Sequence, residues 1–406
     1  MKLEGIRVLD LSQFLPGPHF TMMMADHGAD VIRVESPSGE PSRELGLRQT
    51  GESVWFRNTH RNKRSIVLNL KQPAAVQAFL RLAKTCDVIV ESFRPGTVEK
   101  LGIAYDQVNA VHPGIVYCSI AAFGQTGPLV TRPAHDLSIQ AETGVVSLNL
   151  GADDQPAMPS IPAADMAGSL MAMNGILMAL LRRGQTGMGD YIDISMQDSL
   201  ASWLMQDSLA SWLVNVVGPA FAEDRVSVAK HERSFGGNAM YNIYTCADDQ
   251  YLTLGGSEIK FAKNLFAALN RPELAEFCKH PPGPKQKPAQ DFLRQTFLTE
   301  PLSHWCSVLD KIDICWAPVR TLHEGLQSEQ LQHRQMRLEL TDKNSSGQTA
   351  THLGIPIRYK DEPGRVIPHV PAMGEHSADV LLEAGFTQQE VDTLVAERAL
   401  LMQKES

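Results

Sequence analysis

Short apolar runs, each followed by a helix-compatible stretch, recur through the first 125 residues. They are Ile6–Leu11 (IRVLDL), Ala29–Glu35 (ADVIRVE), Ser65–Leu70 (SIVLNL), Asp87–Glu91 (DVIVE) and Ile115–Ile120. Runs that are apolar on both faces predict parallel strands covered by helices on both sides of the sheet. His19–Gly28 and Pro73–Thr85 read as two of those helices, the second opened by a proline in its first turn. Ligands of such sheets sit at the carboxyl ends of the strands. Asp190–Ser195 (DYIDIS) adds a later strand, after an apolar helix over Met166–Arg183, read as mostly buried, and a GQTGMG turn.

The chain has 406 residues, 37 Lys plus Arg against 46 Asp plus Glu, and a net charge of −9. The length suggests two domains. The acidic balance argues against general nucleic-acid binding, which depends on phosphate neutralisation. No run of about 18 apolar residues is read, so no membrane span is expected. The N-terminus reads as a strand rather than an export signal. Six cysteines lack C-x-x-C spacing, so reduced thiols in a cytoplasmic protein are expected, with no metal site.

Residues 36–64 interrupt the alternation with Pro37, Pro41, Gly39, Gly46 and Gly51. They also hold Arg43, Arg48, Arg57, Arg61, Lys63 and Arg64. So long a connection inside a compact domain is often functional. Met196–Leu204 and Met205–Leu213 repeat MQDSLASWL in tandem. As helix, the second copy adds about 13.5 Å and turns its apolar stripe the other way. It reads as a local duplication rather than a site. A polar connection follows at 221–234. Residues 239–254 form two β-like runs joined by a hairpin signal at 247–250. Residues 258–278 and 290–310 read as helical, 320–350 as polar loop, and 375–401 as helical with Ser377 and Thr387 as N-caps. The boundaries are a large α/β domain over 1–224, a smaller domain over 225–325, and a return to the large domain over 326–406.

The first strand–loop–helix invites a dinucleotide reading, but its loop is Ser12-Gln13-Phe14-Leu15-Pro16-Gly17-Pro18. Its two prolines remove amide donors that a pyrophosphate would need. No G-x-x-x-x-G-K-[ST] or G-x-S-x-G motif occurs. Asp165 follows a proline-broken loop and opens a helix. By position it is an N-cap. The same geometry suits an ionised nucleophile stabilised by the helix dipole, with small neighbours leaving room for substrate. His135 reads as a local cap or as an acid/base, and Glu258 as a surface helix start.

Taken in order, GIRVLDLSQFLPGP (5–18), GADVIRVE (28–35), NKRSIVLNLK (62–71) and DVIVESFRPGTVEKLGI (87–103) form a recognisable series. FGQTGP (123–128), PAADMAG (162–168), RRGQTGMGDYIDISMQD (182–198), YTCADDQYLTLG (244–255) and GEHSADVL (374–381) continue it. The chain resembles the class III CoA-transferases, the family that includes formyl-CoA and carnitine CoA-transferases and α-methylacyl-CoA racemase. The resemblance covers nearly the whole sequence. It implies an open, mostly parallel, Rossmann-like large domain, a smaller α+β domain and an interlocked homodimer. It also implies acyl-CoA and carboxylic acids as substrates, with no tightly bound cofactor.

By the same resemblance, Asp165 matches the transferase nucleophile, which forms a mixed anhydride and then an aspartyl-CoA thioester. Gly236 and Gly237 match the glycine loop covering that site. Gln13, Phe14, Leu68, Ser92, Phe93 and Lys100 match positions lining coenzyme A. Arg61, Lys63 and Arg64 lie near enough in sequence to be phosphate candidates. In the racemase branch His135, supported by Glu258, would exchange an α-proton opposite Asp165. Two departures favour the transferases: Ile161 stands where racemases usually carry Asn, and the 36–61 segment is long. A coenzyme-A-binding protein without turnover is the remaining alternative.

Overall fold

The computed structural model describes residues 1–49, 51–151, 153–210, 236–341 and 347–403, the side chains of 204–210 excepted. The chain forms two compact units, Met1–Ala201 with Glu329–Ser406, and Ser202–Ser328.

The larger unit is built on a seven-stranded sheet. Its strands are β1 (Arg7–Asp10), β2 (Asp30–Glu35), β5 (Arg64–Leu68), β6 (Val88–Glu91), β7 (Val116–Ala121), β8 (Asp190–Ser195) and β14 (Leu400–Leu401). A small hairpin, β3 (Arg48–Gln49) and β4 (Glu52–Ser53), lies between β2 and β5 in sequence. The sheet order is β14-β5-β2-β1-β6-β7-β8. Every pairing is parallel except β14 on β5. The six parallel strands therefore run 3-2-1-4-5-6 in order of appearance, the dinucleotide-fold order, with its switch point between β1 and β6.

The helices of this unit are α1 (Pro16–Asp26), α2 (Val54–His60), α3 (Pro73–Ala83), α4 (Thr97–Leu101), α5 (Tyr105–Val111), α6 (Asp136–Glu142), α7 (Ala163–Thr186) and the start of α8 (Met196–Ala210). One sheet face is sealed by α3, α5 and the C-terminal helices 377–383 and 388–396, through Leu9, Ile32, Ile66, Phe79, Leu82, Ile89 and Leu381. Each such side chain contributes about 1.5–3 kcal/mol by leaving water. Helices α1 and α7 pack together, with α7 against β7 and β8.

Helix α7 departs from the sequence reading. It is longer than expected and runs through Thr186, so the GQT of the expected turn is helical. By length and composition alone it could cross a membrane, although no apolar run stood out in sequence. Only one stripe is buried, Ala164, Ala167, Gly168, Ser169, Ala172, Met173 and Ile176, where mostly small side chains let other elements approach; Met178 and Leu181 are exposed.

The C-terminus also differs. Helices 377–383 and 388–396 form as expected, but Leu400–Leu401 become β14, whose backbone completes the edge at β5. Thr387 is an N-cap with a capping box, whereas Ser377 is not: its hydroxyl donates to the Leu401 carbonyl (2.7 Å) and accepts from the Val67 amide. The polar 320–350 stretch contains one strand of a hairpin, β12 (Arg337–Thr341) paired with β13 (Thr349–Leu353).

The smaller unit holds the antiparallel strands β9 (Tyr241–Thr245), β10 (Tyr251–Gly255) and β11 (Trp316–Pro318). They share a core with helices 259–268, 287–297 and 302–309, through Tyr244, Leu252, Phe266, Leu293, Phe297 and Trp305. The first MQDSLASWL copy and most of the second are helical in α8. The facing of the second copy and the 221–234 connection lie outside the described residues.

Candidate active site

At the switch point, the residues that follow the carboxyl ends of β1, β6, β7 and β8 line a cavity of about 580 Å³. Gln13, Phe14 and Pro16 come from the β1 end. Ser92, Phe93, Arg94 and Thr97 come from the β6 end, and Ile120–Phe123 from β7. Met196 contributes from the start of α8, and Thr131–His135, Ser138 and Asp165 close the wall. Gln13, Phe14, Ser92, Phe93, His135 and Asp165 are thus brought together as the sequence suggested.

The β1–α1 loop explains why no glycine-rich phosphate cradle forms here. Its successive amides are already engaged: Ser12 donates to Asp10 (3.0 Å), Gln13 to the Ser92 hydroxyl (2.8 Å) and Phe14 to Glu40 (2.9 Å). Gly17 is required for packing, since a Cβ there would overlap the Ser12 side chain. Phe14 adopts φ +63°, and its ring meets His135 edge-on with centroids 5.8 Å apart.

Asp165 stands in the first turn of α7, not at its N-cap, which is Pro162. The capping is done by Asp136, whose carboxylate accepts the Ala164 amide at 2.8 Å and the Asp165 amide at 3.2 Å. Asp136 is itself fixed by Gln140, which donates to it and to the Ile161 carbonyl. The Asp165 carboxylate is thereby released from capping duty, and among the described residues no group donates to it. Burial, reinforced by the Asp136 charge, pushes its pKa from the ordinary 3.8 to about 7. The sequence expectation of a dipole-stabilised, fully ionised carboxylate is corrected accordingly. A carboxyl group poised near neutrality in a cavity suits nucleophilic or proton-transfer work.

His135 is exposed at the N-cap position of α6, but its ring makes no capping bond. Beneath the Ser92–Phe93 turn, the Glu91 carboxylate accepts the Phe93 amide at 2.8 Å, and burial raises its pKa to about 7.

The basic residues expected near phosphates are placed elsewhere. Arg61 is buried and forms a two-pronged ion pair with Asp26, through Nε at 3.0 Å and Nη2 at 2.7 Å. Lys63 is enclosed against Asp10 (2.9 Å), and Arg64 pairs with Asp30 and Glu383. These three cations are committed to the scaffold. Leu68 is buried in the core, and Lys100 is exposed on α4 outside the cavity lining. Arg94 and Arg132 line the cavity instead, Arg132 paired with Glu142. The signal for Arg94 was its place directly after Ser92-Phe93.

The remaining candidates belong to the smaller unit. Gly236 has φ +94°, and its carbonyl accepts from Asn242 (2.9 Å), while the Gly237 carbonyl accepts from Gln290 (2.9 Å). Glu258 is exposed at the N-cap position of helix 259–268.

Comparison with known proteins bears on this arrangement. The chain is 30% identical over 391 residues to the succinyl-CoA:glutarate CoA-transferase of Mus musculus, covering 94% of this chain and 86% of that protein. It is 30% identical over 407 residues to the α-methylacyl-CoA racemase of Homo sapiens, covering 98% of each. A CAIB/BAIF family protein from Brucella suis has a similar crystal structure, with TM-score 0.78 and 26% identity over 94% of this chain and 99% of that one. The profile of CoA-transferase family III matches residues 3–377. With its parallel sheet, its switch-point cavity and this match across most of its length, the chain belongs to CoA-transferase family III.

Proposed function

We propose that the protein transfers coenzyme A from an acyl-CoA donor to a carboxylic acid acceptor, with Asp165 as the nucleophile. The observation that carries this reading is the Asp165 carboxylate, inside the switch-point cavity and released from capping by Asp136. Its ionised form attacks the donor thioester carbonyl and expels coenzyme A thiolate, leaving a mixed anhydride. The thiolate then attacks the aspartyl carbonyl and releases the donor acid, leaving an aspartyl-CoA thioester. The acceptor carboxylate repeats the two steps in reverse order and frees Asp165. Each step exchanges one acyl bond for another, so no external energy source is needed. Gln13, Phe14, Ser92 and Phe93 line the path of the coenzyme, and Arg94 and Arg132 supply positive charge for its phosphates.

A second reading has its own support: His135 lines the same cavity as Asp165, and racemases are among the relatives. In that reading the two residues exchange the α-proton of a 2-methylacyl-CoA. One incubation separates them. The protein is mixed in D₂O with a panel of acyl-CoAs, including 2-methylacyl-CoAs, and a panel of free acids, and the products are read by mass spectrometry. New thioesters establish transfer; one deuterium at the α-carbon without new thioesters establishes the racemase reading. Coenzyme A retention with neither product supports a binding protein without turnover.

The assembly is proposed to be an interlocked homodimer. Exposed Met178, Leu181 and Met188 around α7 and the start of β8 support this reading. A monomer by light scattering contradicts it. Six free cysteines support action in a reducing, cytoplasmic compartment.

A further inference from the structure

We propose that Glu40 is a positioning residue for the coenzyme A site, acting by holding Phe14 in a left-handed backbone conformation. The proposal rests on the coenzyme A reading of the cavity. Glu40 follows β2 in sequence, outside the cavity lining, and its carboxylate is fully buried. One carboxylate oxygen accepts the Phe14 amide at 2.9 Å and the Ser42 hydroxyl at 3.1 Å. The other pairs with Arg33, which also donates to the carbonyls of Asp10 and Ser12. A single buried ion pair thus grips the loop backbone at residues 10, 12 and 14.

The residue it grips is unusual. Phe14 has φ +63°, a region that a large L side chain avoids, and such a residue persists only where its surroundings over-determine it. The consequence is local. The turn presents Gln13 and Phe14 to the cavity and sets the Phe14 ring against His135. A relaxed Phe14 would swing that wall, and Glu40 is the group that directly holds its amide.

The test is a set of coenzyme A dissociation constants by titration calorimetry, with kcat and KM for an active donor. Phe14→Gly and Phe14→Ala both remove the ring, but only glycine accepts positive φ freely, so Phe14→Gly is expected to bind about fivefold tighter than Phe14→Ala. Glu40→Gln is expected to weaken binding about tenfold, raising KM with kcat nearly unchanged. In the Phe14→Gly background the same substitution is expected to cost less than about threefold, because its route of action is gone. Equal affinities for the two Phe14 variants, or an equal cost of Glu40→Gln in both backgrounds, overturns the positioning role alone. Wild-type protein that binds no coenzyme A overturns the reading of the cavity, and this proposal with it. The Phe14 variants change a half-buried loop residue and test the geometry even where Glu40→Gln reduces the yield of folded protein.

Discussion

Between Arg33 and Arg64 the large unit buries cations against carboxylates, while around Asp165 it sets one half-buried carboxylate beside another. In the first region Arg33 meets Glu40, Arg43 meets Glu35, Arg61 meets Asp26 and Lys63 meets Asp10. Burial alone would raise the Asp10 carboxyl, but Lys63 and Arg33 overcome it and hold the pKa below its ordinary value. In the second region burial acts unopposed and Asp136 adds to it, so Asp165 rises to about 7. Paired buried charge fixes a scaffold; an unpaired, partly desolvated carboxyl is kept reactive at a cost in stability.

The largest expected effect is at the reactive carboxyl. Asp165→Ala is expected to lower transfer by at least about 10³-fold while the coenzyme A dissociation constant stays within about threefold. Retained turnover in a product assay contradicts the nucleophile assignment. Stability should move the other way. An acid whose folded pKa is raised costs stability above that pKa and none below its unfolded value. Asp165→Asn is therefore expected to raise the melting temperature at pH 8 and to leave it unchanged near pH 3.

The scaffold end should break differently. Lys63→Met leaves buried Asp10 with only the longer Arg33 contact (3.6 Å) and is expected to cost about 3 kcal/mol, read from denaturant unfolding. A cost below about 1 kcal/mol would place this pair with ordinary surface ion pairs. Smaller again is Arg94→Ala, expected to raise KM for acyl-CoA about tenfold with little change in kcat. An unchanged KM would remove Arg94 from the phosphate site.

The smallest effect concerns pH. The rising limb of kcat/KM is expected near pH 7, since only ionised Asp165 attacks. Asp136→Asn removes the neighbouring charge and should move that limb downward by less than about one pH unit, because burial is the larger cause. No movement would show that Asp136 does not act on Asp165 through its charge.

The basic segment shows why part of the site was illegible in sequence. Arg61, Lys63 and Arg64 stand close together in a long connection, the usual appearance of a phosphate loop. Their partners Asp26, Asp10, Asp30 and Glu383 lie on other elements, and only folding brings them together. Leu68 and Lys100, matched by the resemblance, lie outside the cavity lining, and motif position alone does not say which way a side chain faces. Gln13, Phe14, Ser92 and Phe93 were legible only through the family resemblance, and Asp165 through its place at the opening of a helix; folding gathers them in one cavity at the strand ends, where parallel sheets hold ligands.

The sequence by itself determined the parallel α/β architecture, because apolar strands alternating with helix-compatible stretches fit a sheet covered on both faces. It also determined the family, through motifs kept in order along most of the chain. Only the tertiary structure decided that Asp136 caps the helix of Asp165, that the basic segment is scaffold, and that Leu400–Leu401 extend the sheet as β14. Each of these depends on a partner distant in sequence, and burial sets its electrostatic consequence after the chain has folded.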